Sequence, residues 1–225
     1  MKTAGISIGS DFKVQTVGGA EKTTKTFEDL EKVKAIVHDW NAMSKKSADL
    51  TIDQYGPPNE ATESRLIWYN NGPWKRTIVY RDAIPHDFPQ PHTDVIENYI
   101  NYAVPPELFS EIATFDGSVI VERTRGEASS RCEMEASNIL ALNLMNDIVK
   151  GKLNAKKARD VYSEVMSAYM MNRSAPYAEK LQFEVSDEEK YDTDVATIAD
   201  EMVAQGIEKA KDMVDPNNHQ GTNDR

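Results

Sequence analysis

The chain has 225 residues, 26 basic and 37 acidic side chains, a formal net charge of −11 and one cysteine. That length makes one domain, or one domain with an appendage. The acidic balance argues against nonspecific nucleic-acid binding, which draws on clustered Lys and Arg. The lone Cys132 excludes an intramolecular disulfide and every Cys-x-x-Cys site. No run approaches the about 18 apolar residues of a spanning helix, so no membrane span is expected. The first residues lack the apolar core of a secretory signal, and the expected location is cytoplasmic.

Residues 1–25 are small and polar and are expected to form a flexible N-terminal arm. From Thr26 the period becomes helical: Phe27, Leu30, Val33, Ile36, Val37, Trp40 and Met43 make one apolar stripe. The spacing predicts one helix over 27–45, capped by Thr26. Tyr55-Gly56-Pro57-Pro58 stops what precedes it. A hairpin follows, 65–69 and 74–81, turning at Asn70-Asn71-Gly72-Pro73. The stretch over 55–71, YGPPNEATESRLIWYNN, locally resembles the Gly-x-Pro turn and Trp-Tyr strand of small outer-membrane assembly lipoproteins. The resemblance ends there and implies nothing for the rest of the chain.

A proline-spaced loop fills 83–93, and helices are predicted over 94–102 and 106–114. A second hairpin is expected over 117–131, turning near Arg125-Gly126. Two long helices follow, 133–150 and 155–171, the first ended by Gly151 and the second capped by Asn154. The fold class is therefore α+β: a small antiparallel sheet of two hairpins packed by three or more helices. The expected globular domain is 26–183. Residues 184–194, EVSDEEKYDTD, read as an acidic hinge, and 195–225 as a C-terminal amphipathic helix with a disordered tail.

The polar candidate with most chemistry is the loop His86-Asp87-Phe88-Pro89-Gln90-Pro91-His92-Thr93-Asp94. Two of four histidines fall within seven residues, each near a carboxylate. His86, Asp87, His92 and Asp94 are natural ligands for a divalent zinc, iron or manganese ion. A His–Asp pair could instead act as a general base. The bland alternative has His92 or Thr93 capping a helix from Asp94.

Lys152 at one helix C-terminus and Lys156 and Lys157 at the next helix N-terminus belong to one basic run, a candidate anion site whose bland alternative is a solvated, salt-bridged turn. Trp68, Trp74, Tyr80 and Tyr99 are the candidate lining of a small-ligand pocket. Ile198, Met202, Ala210 and Met213 give the last helix an apolar face for a protein partner or a second copy of the chain. The leading functional expectation is a non-catalytic binding or accessory protein working through that helix. The alternative is a metal-binding protein or metal-dependent enzyme centred on the His86–His92 loop.

Overall fold

The computed structural model describes residues 23–186, 188–197 and 202. Residues 22–192 form one compact unit, and 1–21 with 193–225 form another. Of the second unit only 193–197 and Met202 are described, Met202 as helical and exposed. No described helix is long and apolar enough to cross a membrane.

The α+β class holds, but the sheet is larger than two hairpins. Six strands pair antiparallel: β1 (Glu60–Thr62), β2 (Arg65–Asn71), β3 (Trp74–His86), β4 (His92–Asn101), β5 (Val119–Glu122) and β6 (Glu127–Cys132). Their order across the sheet is β1-β2-β3-β4-β6-β5. The helices are α1 (Leu30–Val37), α2 (Ala42–Tyr55), α3 (Phe109–Phe115), α4 (Glu135–Val149), α5 (Ala155–Met170) and α6 (Pro176–Glu179). A 3₁₀ turn, Pro106–Leu108, leads into α3.

Three expectations are corrected. The helix over 27–45 is two helices, because two side chains cap in succession. Asp29 accepts from Lys32 N at 3.0 Å to start α1, and Asn41 accepts from Ser44 N at 2.9 Å to start α2. The buried positions of α2 are Ser44, Ser47, Ala48 and Thr51, so it has no apolar stripe to read.

The helix over 94–102 is strand β4. Val95, Ile96, Tyr99 and Ile100 are spaced helically, but Asp94 to Asn98 are all buried. A strand covered on both faces loses its two-residue alternation, and cross-strand pairing decides its conformation. The capping role considered for His92 and Thr93 falls with that helix.

In the third, β3 runs on to His86, five residues past the predicted end. Along the way its pairing with β4 slips between Val79 and Ile84, so that five steps along β3 match two along β4. This irregularity is held from outside. The Arg81 carbonyl accepts from Asn41 Nδ2 at 2.6 Å and from Ser44 Oγ at 2.9 Å, both at the start of α2.

Helix α4 lies against β4, β5 and β6, and α2 against β3 and β4. Every residue from Ser137 to Ile148 is buried. Its apolar members, with Ile112, Phe115, Ile100, Ala128, Tyr162 and Met166, form the larger core. Its buried asparagine amides donate inward: Asn138 Nδ2 donates to Ile96 O at 3.1 Å and to Asn98 Oδ1 at 2.7 Å, while its own Oδ1 has no hydrogen-bond partner among the described residues. Asn143 donates to the Tyr177 and Lys180 carbonyls. A smaller core joins Val33, Val37, Trp40 and Ala48 to Leu66, Trp68, Val79 and Ile96.

The acidic segment is tied down within the described unit. Lys75 Nζ pairs with Glu189 at 2.7 Å, and Arg123 with Asp192 at 2.6 Å. Lys190 lies directly over the β5–β6 turn. Gly126 there has φ +62°, and a Cβ on it would stand 2.1 Å from the Lys190 carbonyl oxygen.

Candidate metal centre

The end of β3 and the start of β4 bring the two histidines face to face. His86 and His92 are direct register partners, and Ile84 pairs with Asp94. The five-residue loop between them contains a cis Phe88–Pro89 bond. His86, His92 and Asp94 each place a ligand atom within 4.8 Å of the others. The imidazole centroids are 4.9 Å apart.

Asp94 is 2 % exposed and sits at the centre. Its Oδ1 is 3.2 Å from His92 Nε2 and 3.6 Å from His86 Nδ1. Neither approach is aligned as a hydrogen bond, and among the described residues Oδ1 has no hydrogen-bond partner. Its other oxygen, Oδ2, accepts a hydrogen bond from Ser118 Oγ. Ser118 Oγ also meets His86 Nδ1 at 3.3 Å.

Each ring has an outer partner. His92 Nδ1 donates to the Gln90 carbonyl at 2.8 Å, which turns Nε2 toward Asp94. His86 Nε2 is 3.7 Å from Asp116 Oδ1, at the C-terminal end of α3. Cys132 Sγ, on β6, is 3.4 Å from His92 Nε2. Beyond the loop, the Arg159 guanidinium of α5 lies 3.7 Å over the Phe88 ring and donates to Phe115 O at 2.7 Å. This packing holds the loop against the larger core.

The electrostatics follow from burial and proximity. His92 is pushed up to about 11, first by contact with the Asp94 carboxylate and then by Cys132. Burial works to raise Asp94, but His92, Ser118 and the His86 charge outweigh it and hold the carboxyl below its usual range. Asp116 goes up because it is buried, with the Ser118 amide and His86 offsetting only part of that. A proton held on His92 therefore balances the buried Asp94 carboxylate.

Of the four loop ligands named from sequence, three converge and Asp87 does not: it is exposed and outside the cluster. Asp116 and Ser118 escaped the sequence reading, which leaves Cys132 a lone thiol unconnected to the histidines. Their approach depends on β6 pairing with β4 and on the α3–β5 turn, neither of which is encoded by local spacing.

The other candidates are placed apart. Lys152 is exposed and pairs with Asp147 at 2.8 Å, while Lys156 and Lys157 are exposed in the first turn of α5. Trp68 belongs to the smaller core and donates to Gly56 O at 2.9 Å. Trp74 belongs to the larger core. Tyr80 donates to Glu97 at 2.8 Å, and Tyr99 lies under the Arg76 guanidinium at 3.7 Å. Trp74 lines a cavity of about 990 Å³ with Tyr55, Asn101, Glu135, Lys180 and Phe183. That cavity lies at the opposite end of β3 from His86. There Tyr55 donates to Glu135 at 2.9 Å, and burial raises both groups. Ile198, Ala210 and Met213 lie outside the described residues.

No family model, curated protein or solved structure matches the chain, so the reading rests on this geometry.

Proposed function

We propose that the chain is a metal-binding protein that takes one divalent transition-metal ion between His86, His92 and Asp94. The observation that carries this is Asp94 Oδ1, a buried oxygen without a hydrogen-bond partner, facing two imidazole nitrogens. A buried carboxylate oxygen met only by two imidazole nitrogens is compensated either by an imidazolium charge or by a cation shared with both rings. The separations of 3.2 and 3.6 Å bracket the ligand–ligand edge of about 3.3 Å that bonds of about 2.0–2.1 Å give around a tetrahedral ion.

The donor set selects the ion. Two imidazoles and one carboxylate suit zinc, iron or manganese, whereas calcium and magnesium take oxygen ligands. The histidines also have the outer hydrogen-bonding and carboxylate neighbours that orient metal ligands.

The general-base reading of the same residues is less well supported. The crevice that reaches His92 between Gln90, Cys132, Ser137 and Tyr162 has a volume of about 20 Å³. That is room for about one water molecule and not for an organic substrate.

The test is elemental analysis of the untagged protein, followed by zinc titration calorimetry on metal-stripped material. One ion per chain is expected, with binding lost in His92→Ala and Asp94→Asn. Zinc uptake that is absent, or indifferent to both substitutions, would overturn the reading.

A further inference from the structure

Three protein ligands leave a tetrahedral ion one position short, and Cys132 stands beside the gap. We propose that Cys132 is the fourth ligand, so that the site is closed and selects a thiophilic divalent ion of the zinc class. This rests on the metal reading above and adds to it the identity of the last ligand.

The sheet places the four residues on adjacent strands: His86 on β3, His92 and Asp94 on β4, Cys132 on β6. Cys132 pairs with Ile96, and alternation puts His92, Asp94 and Ile96 on one face of β4. The thiol therefore shares the face of the histidine and the carboxylate, at the diagonal position to Asp94. Cys132 Sγ is 3.4 Å from His92 Nε2. Metal bonds of about 2.05 Å to nitrogen and about 2.3 Å to sulfur give a tetrahedral N–S edge of about 3.5 Å.

Sγ lies outside the set of atoms that are mutually within 4.8 Å. Closing the site thus requires the thiol to swing toward Asp94 and His86, by rotation about one unbranched Cα–Cβ bond. The S–H proton leaves to water as the sulfur–metal bond forms, with no change of oxidation state. Two independent features point the same way. Asp94 Oδ1 is buried, has no hydrogen-bond partner among the described residues and faces both imidazoles at 3.2 and 3.6 Å. The water-sized crevice touches both Cys132 and His92 and supplies an entry path.

A closed four-ligand ion has no place for a substrate and acts as a staple. Here it would join the tip of the β3–β4 hairpin to β6.

Cobalt(II) added to the metal-stripped full chain is the probe. The expected spectrum at one equivalent has visible bands of tetrahedral intensity and a near-ultraviolet thiolate-to-cobalt band. Cys132→Ser should lose the near-ultraviolet band, keep weaker visible bands and bind zinc at least about tenfold less tightly. Visible bands without the thiolate band in the wild type overturn the proposal and leave the three-ligand site standing, as does unchanged zinc affinity in Cys132→Ser. No cobalt binding at all overturns the metal reading with it. Circular dichroism of Cys132→Ser and Cys132→Ala separates loss of a ligand from loss of the fold, and the wild-type spectrum decides the matter if neither variant folds.

Discussion

Zinc should stabilise this fold by an amount that follows from mass action. The ligands come from β3 and β4, and the pairing of His86 with His92 exists only in the folded chain. A ligand that binds only the native state stabilises it by about 2.7 kcal/mol at a free concentration one hundred times Kd. For a domain of about 150–250 residues, each kcal/mol moves Tm by about 2–4 °C. The compact unit spans 22–192, so a rise of about 5–11 °C is expected. The assay is differential scanning calorimetry of metal-stripped protein at stepped free zinc, and Tm should climb with the logarithm of concentration. Magnesium should leave Tm where it was, because imidazole is a poor ligand for it. An equal zinc shift in the His86→Ala/His92→Ala double variant would refute the reasoning, as would a magnesium shift of the same size.

Other parts of the chain give equally definite expectations. Glu127 is buried between Arg76, at 2.7 Å, and Lys75, at 2.6 Å. Glu127→Gln removes a buried carboxylate from both Arg76 and Lys75, of which Lys75 keeps Glu189, and should cost about 3–5 kcal/mol at neutral pH, read by chemical denaturation. Burial works to raise Glu127, but Arg76 and Lys75 outweigh it and hold the carboxyl below its usual range. Its contribution is therefore complete above the unfolded value and is lost as pH falls through the folded one, so wild type and variant should converge in acid. Gly126→Ala should cost about 1–3 kcal/mol and loosen 188–192, seen as faster hydrogen exchange there, since the new Cβ meets the Lys190 backbone. Unchanged exchange would count against that packing. Asn41→Ala with Ser44→Ala removes both bonds to the Arg81 carbonyl and the cap of α2. It should cost about 1–2 kcal/mol and weaken zinc binding without touching a ligand. Full zinc affinity in that variant would show that the β3 irregularity does not depend on α2.

What the sequence conveyed was set by how local each signal is. Helices α4 and α5 were legible because Asn154 caps one, Gly151 stops the other, and their apolar residues recur at helical spacing. The Gly72-Pro73 turn was legible because positive φ there is a residue-level requirement that a glycine meets, and Gly72 has φ +60°. Strand β4 was misread because its buried positions include Asp94, Glu97 and Asn98, whose burial is decided by partners far away in sequence. The candidate site shares that limit. His86, His92 and Asp94 could be named from a crowded loop, but the same crowding drew in Asp87, which the hairpin turns outward. Cys132 lay 38 residues from Asp94 and became relevant only through the pairing of β6 with β4.

The histidines meet because the ladder between β3 and β4 is irregular. From Arg76 to Val79 the two strands pair in one register, and continuing it would set Ala83, not His86, opposite His92. The slip between Val79 and Ile84 inserts three additional residues into β3 and carries His86 up to its partner. Inserted residues weaken a ladder by leaving backbone groups unpaired, so this one needs support from outside the sheet. Asn41 and Ser44 provide it at Arg81 O, and Arg81 N donates to Ser64 O at 3.0 Å. The capping residues of α2 thus serve two ends: they start a helix with no apolar stripe of its own, and they hold the bulge that aims an imidazole at a buried carboxylate. The proposed ion site therefore rests on that register slip, since without it His86 would stand away from His92 and Asp94.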